Sequence, residues 1–154
     1  MREGFLGPAS PFFADVVLLL ELAMGLTLLA GAFLARSRKF HAHAWCQSVV
    51  VLLNAGVIVI AMLSSFRHHV APRIPVKLGK SFYAIATAHA ALGAFVECAA
   101  LYLLLAAGTT LMPEKLRLLR YKLWMRTVLA SWWLVIFLGV ATYARWYIPG
   151  LFRR

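Results

Sequence analysis

Histidines at positions 41, 43, 68, 69 and 89 and carboxylates at 21 and 97 are the side chains of this chain best equipped to hold a metal or move a proton. Imidazole is the usual protein ligand of haem iron and the side chain whose charge changes near neutral pH. Glu21, His89 and Glu97 each interrupt a long apolar run, where an ionisable group costs several kcal/mol and persists only with a partner or a task. His41 and His43 instead stand in "KFHAHAWCQ", at the edge between a basic patch and an apolar run.

The elements that must position these groups follow from composition. Hydrophobic residues make up 63% of the chain and charged residues only 14%, and the apolar content falls in blocks, which predicts an integral membrane protein. The blocks run over residues 12–35, 44–66, 81–107 and 123–148, each at or above the ~20 residues a helix needs to cross the hydrocarbon core. Their lack of alternation excludes barrel strands, so the expected fold is all-α, a four-helix transmembrane bundle forming one domain over 1–154. The early acid and two prolines argue against a cleavable signal, so the first span is expected to stay.

Charge narrows the partners. The formal net charge is +11, but Lys and Arg lie at span ends, as in Arg36, Arg38 and Lys39, or Lys115, Arg117, Arg120 and Lys122. That distribution engages lipid head groups and excludes a nucleic-acid partner. The basic residues divide evenly between the two sides, so orientation is left open, with a lean towards cytoplasmic 36–43 and 108–122 connections. Connections this short leave no room for a separate aqueous active site, and a non-enzymatic role is expected.

Depth decides which histidines can act together. Let face A hold the termini and the 67–80 connection, and face B the opposite ends. His89 lies ~7 Å and Glu21 ~4 Å to the A side of their span centres, and Thr142 and Tyr143 fall in the same half, predicting a polar layer there. His43 lies ~25 Å from His89 along the membrane normal, so the two cannot share one iron. His68 and His69 stand ~12 Å above His89, a gap that "RHHVAPRIPVKLGK" closes if it folds back over the bundle mouth as a loop. His89 with His68 or His69 is therefore the candidate pair for one haem b, Glu21 is its candidate second-layer or proton-linked neighbour, and His41 and His43 would serve a separate metal site on face B.

The third span reads "YAIATAHAALGAF" around His89, and its small residues suit either a flat macrocycle or plain helix packing. Solvation at the interface accounts for His41 and His43 without a metal. Glu97 is expected to hydrogen-bond Asn54 of the second span as a polar clamp. Trp45, Trp124 and Trp146 read as an interfacial belt, whereas Trp132 and Trp133 are deep enough to stack on a ring cofactor. Cys46 and Cys98 show no CxxC or CxxCH spacing and are expected to be buried small residues, a redox pair only if their helices touch.

"GAFLARSRKFHAHA", "HAALGAF" and "LRLLRYKLWMRTVLASWWLVIFLGVATYARWY" together resemble the YozB/CtaM type of small bacterial four-helix membrane protein. The likeness covers the last three spans. It implies a link to haem-copper terminal oxidase maturation, and it matches His41 or His43, His68 or His69, His89, Trp133, Gly139 and Tyr143 to the family's residues. The family's histidine in the basic linker is missing here, where "LRYKL" offers Tyr121. The combined expectation is a b-type cytochrome-like or haem-handling protein of a respiratory system in the bacterial cytoplasmic membrane, acting in electron transfer or oxidase assembly. Its partners would be the lipid bilayer and a larger respiratory complex or further copies of itself. The competing reading is a cofactor-free accessory subunit of such a complex; a small proton-conducting bundle fits less well, since broken helices are not evident.

Overall fold

A computed structural model describes residues 4–7, 9–108, 113 and 120–148. Four helices are long and apolar enough to cross a membrane, and no strand occurs among the described residues. They are α1 (Phe12–Arg36), α2 (Phe40–Lys77), α3 (Ser81–Gly108) and α4 (Tyr121–Tyr147). Lys115 and Arg117 of the basic linker, and Arg153 and Arg154, lie outside the described residues.

Packing of α1 on α2, α2 on α3, α3 on α4 and α4 back on α1 closes a ring, in which α1 faces α3 and α2 faces α4 across the diagonals. The core inside it is Met24, Leu28, Val50, Val51, Val96, Ala100, Trp132 and Ile136. Large apolar side chains also point outward, among them Leu26, Phe33, Ile60, Phe95 and Phe137, each more than 60% exposed. Such a surface is costly in water and natural in hydrocarbon, which is why these helices are apolar all round. Because lipid offers no hydrophobic drive between helices, contact depends on close fit. Gly25 shows this: a β-carbon there would stand 2.5 Å from Cδ1 of Ile136 and 3.3 Å from the Trp133 ring, so a larger residue would make the Ile136 side chain turn aside.

The α1–α2 turn is short. Arg38 adopts φ 60°, the left-handed conformation that commonly ends a helix, and its N–H and that of Lys39 return to the carbonyls of Ala35 and Leu34.

The expected loop over 67–80 is corrected by the structure. The second helix does not stop at Phe66 but runs to Lys77, with wide π turns at Ile58–Met62 and Phe66–Val70, then a 3-10 turn Ala71–Arg73 and a last turn Ile74–Lys77. Pro72 and Pro75 fall in the first turns of the last two pieces, where a missing N–H breaks no helical bond. The π turns also turn the chain inward. Val70 is buried against Tyr83 and Ala86 near the start of α3, with Phe66, Ile74, Phe82 and Trp146 packed around them. The second helix also begins earlier than expected, at Phe40, so His41 and His43 sit in its first turn.

Candidate functional site

Between the four helices lies a half-open cavity of about 840 Å³, bordered by exposed residues such as Phe13, Ile60 and Leu63. It runs from Pro11, His69, Trp146 and Tyr147 at the A-side ends to Asn54, Glu97 and Trp132 just past the middle. Its size falls within the range typical of small-molecule and cofactor sites. The wall is mostly apolar, and no Lys or Arg lines it among the described residues. The expected A-side polar group is present there: Glu21, His89, Thr142 and Tyr143 all face the cavity.

His89 is the best-defined group in it. Its Nδ1 stands 3.0 Å from the carbonyl oxygen of Val135 on α4. A carbonyl only accepts, so Nδ1 carries the proton and donates, which leaves Nε2 of the neutral ring with its lone pair. No described residue bonds to Nε2. Gly139, one turn after Val135, lies under the ring: a β-carbon there would be 3.1 Å from Cε1 of His89. A histidine fixed through Nδ1 by a backbone carbonyl, with Nε2 unbonded, has the arrangement that metal-binding imidazoles commonly show.

The other expected ligands separate clearly. His69 lines the cavity and also an adjoining hollow of about 290 Å³ that contains Arg73, whose Nη1 donates to the Tyr83 hydroxyl at 3.0 Å. Its neighbour Val70 touches Ala86, which precedes His89 by three residues, a rise of ~4.5 Å along the helix. His69, exposed like His68, shares its hollow with Phe82 and Tyr83, so the inward turn of α2 leaves it at the mouth, ~9–10 Å above His89 along α3. His68 is exposed, donates through Nδ1 to the Ser64 carbonyl at 2.8 Å and does not line the cavity.

On face B, His43 donates through Nδ1 to the carbonyl of Gly31 at 2.8 Å, and Gln47 donates to that of Leu28 at 3.3 Å, so both residues clamp α2 to α1. His41 is exposed. Neither His41 nor His43 reaches the cavity, and no cluster of three or more His, Cys, Asp or Glu side chains suited to a metal ion occurs among the described residues. Tyr121, at the place of the missing linker histidine, donates to the Leu103 carbonyl at 2.9 Å and pins the start of α4 to α3.

Glu21 makes no hydrogen bond to His89; the Val135 carbonyl fills that role. Glu21 and Glu97, carried by diagonal helices, line the same cavity. The expected clamp is present, with Asn54 Nδ2 donating to Glu97 Oε2 at 2.8 Å. Four buried oxygens of cavity-lining residues have no hydrogen-bond partner: Glu21 Oε1, Asn54 Oδ1, Thr87 Oγ1 and Glu97 Oε1.

Trp132 is buried and lines the cavity, while Trp133 packs against Gly25. Both cysteines are free thiols; Cys46 is half-buried, and Cys98 is exposed on the outside of the bundle rather than buried as expected.

One group escaped the sequence reading. Asp15 is fully buried: Oδ2 accepts from the backbone N–H groups of Phe5 and Leu6, at 2.5 and 2.8 Å, and Oδ1 accepts from the Tyr143 hydroxyl at 2.5 Å. This knot holds the segment before α1 against α4 at the A-side mouth. The available signal was an acid three residues inside an apolar run, opposite a tyrosine near the end of the last span.

No family model, curated protein or solved structure matches the chain.

Proposed function

We propose that the cavity binds haem b and that the protein is a small b-type cytochrome-like or haem-handling component of a respiratory membrane. The observation that carries this reading is the state of His89: Nδ1 committed to the Val135 carbonyl, Nε2 unbonded, and the ring set on the wall of a ligand-sized apolar cavity.

The residues present fit that group. Ala90 beside His89 is a small residue lining the cavity, while Ala86 is covered by Val70 and Gly93 approaches Val135. Arg73, in the hollow that shares His69 with the cavity, offers a cation at the mouth for an acidic ring edge. His89 and His69 would hold the iron; haem supplies one-electron chemistry when bound. The protein's own contribution is to fix the imidazole through Val135 and to wall the site with apolar side chains, both of which tune such a group. Membership of the YozB/CtaM type, and with it a role in oxidase assembly, belongs to the same proposal and rests on the motif resemblance.

A reduced-minus-oxidised visible spectrum of the detergent-purified protein, with a pyridine haemochrome assay for stoichiometry, tests the reading. Sharp α and Soret bands near one haem per chain, lost in His89→Ala, are expected. A featureless spectrum after expression with haem supplied overturns it and favours a cofactor-free accessory subunit.

A further inference from the structure

The inner end of the cavity holds a pair of polar side chains that haem ligation does not use. Glu97 lies eight residues beyond His89, ~12 Å deeper along α3. Glu97 is 6% exposed and Asn54 8% exposed, and both line the cavity. Asn54 donates its amide N–H to Glu97 Oε2 at 2.8 Å, which leaves Asn54 Oδ1 and Glu97 Oε1 buried without a partner. Polar atoms in that state are costly, so the pair is suited to a ligand that completes it.

The flank of the cavity is open where hydrocarbon surrounds the bundle. α2 packs on α1 and α3 through Phe40–Val57, and on α3 again through Phe66–Val70. Ile58–Ser65, between those contacts, lines the cavity and contributes no buried residue. Ile60 is 77% exposed and Leu63 45% exposed, on a helix apolar enough to cross a membrane. The opening therefore meets lipid, whereas Phe5 and Leu6 are tied across the aqueous mouth through Asp15. No Lys or Arg lines the cavity among the described residues, so an anionic head group finds no counter-charge inside.

We propose that the inner half of the cavity binds a neutral hydroxylated lipid from the bilayer, a quinol or a prenyl alcohol, with its hydroxyl on Asn54 and Glu97 and its chain leaving past Ile60 and Leu63. A hydroxyl both donates and accepts. It donates to Asn54 Oδ1 and accepts from Glu97 Oε1 when that oxygen carries a proton. A quinone carbonyl only accepts and leaves Asn54 Oδ1 unpaired, and a plain acyl chain leaves both oxygens unpaired.

The test is equilibrium binding of tritiated decylubiquinol, decylubiquinone and farnesol to the full chain in phosphatidylcholine nanodiscs, with empty nanodiscs as the blank. Saturable binding near one molecule per chain is expected for the hydroxylated probes, roughly tenfold tighter for the quinol than for the quinone. Binding of decylubiquinol alone narrows the ligand to quinols, and of farnesol alone to prenyl alcohols; either upholds the site. Asn54→Leu and Glu97→Ala should each abolish binding. Glu97→Gln should retain it, because its amide still accepts from Asn54 and donates to a hydroxyl; this contrast with Glu97→Ala decides the matter even if Asn54→Leu does not fold. Equal affinity for quinol and quinone, or affinity unchanged in Glu97→Ala, overturns the proposal. Absence of saturable binding overturns it too, and assigns the two oxygens to an internal pair in which Glu97 donates to Asn54 Oδ1. The assay reads no visible spectrum, so its failure leaves the haem reading intact, and a featureless spectrum leaves this one intact.

Discussion

The imidazole of His89 rests on the backbone of Gly139, where a β-carbon would stand 3.1 Å from Cε1, and the Val135 carbonyl one turn earlier holds its Nδ1. One helix thus supplies both the seat and the orienting acceptor for a side chain carried by another. Replacing the seat should disturb the histidine without touching it. Gly139→Ala requires the ring to yield by a few tenths of an ångström, whereas Gly139→Val drives a branched side chain into it. The valine variant should lose about 1–3 kcal/mol of stability, the usual cost of overpacking. It should also lose most of any haem absorbance, while alanine keeps most of both. Unfolding midpoints and spectra of the two variants check this; a valine variant with native stability would show that the ring moves freely.

The Asp15–Tyr143 bond joins the first turn of α1 to the last turns of α4, and two backbone N–H groups complete it. Tyr143→Phe removes one hydrogen bond to a carboxylate and should cost about 1.5–3 kcal/mol. Asp15→Ala leaves three donors unpaired and should cost more. In a double-mutant cycle the two changes should be clearly non-additive, because the second removes a bond that the first has already broken. Additive losses would mean that the two residues stabilise the mouth separately.

What the sequence made legible follows from where the information lay. Four spans could be read from block length alone, and Asn54 could be paired with Glu97 because both sit near the same level on neighbouring spans. The polar residues marked one inward layer, but the extent of the cavity was not legible, because away from them the helices are apolar on every side. Positions 67–80 read as a loop because two prolines and a cluster of basic residues break helices in most settings. Here the prolines occupy first turns, and π turns absorb the change of direction. Asp15 carries no mark of its burial because an acid near a span end is normally solvated, and the fold of Phe5 and Leu6 over the mouth is what buries it.

Asn54 and Glu97 form the polar contact between α2 and α3 in the bundle's middle. Asn54→Leu is nearly isosteric and removes the donor while keeping the volume. Interhelical hydrogen bonds in membranes are worth about 0.6 kcal/mol on average and about 1.7 at most. The loss should fall at the upper end of that range, because Glu97 is left buried with no donor. Glu97→Gln, which still accepts from Asn54, should fold at least as well as the native chain. Steric-trapping or denaturant measurements in micelles decide between these outcomes; a leucine variant as stable as the native protein would mean that the contact does not hold the helices.

His68 and His69 are adjacent in sequence, yet only His69 lines the cavity, because Val70 is drawn down onto Tyr83 and Ala86 while His68 bonds back to Ser64. If the cavity holds haem with His89 as one ligand, the two histidines must behave differently on substitution. His69→Ala should weaken and broaden the absorption bands, and added imidazole should restore them by entering the space left at the mouth. His68→Ala should leave the spectrum and its intensity unchanged, as should His41→Ala on the opposite face. Val70→Ala adds a test of geometry, since loss of the buried anchor lets the π turn drift outward and should reproduce part of the His69→Ala spectrum with both histidines still in place. Equal effects of His68→Ala and His69→Ala would remove His69 as the second ligand, and an unaltered spectrum in Val70→Ala would show that the inward turn does not position it.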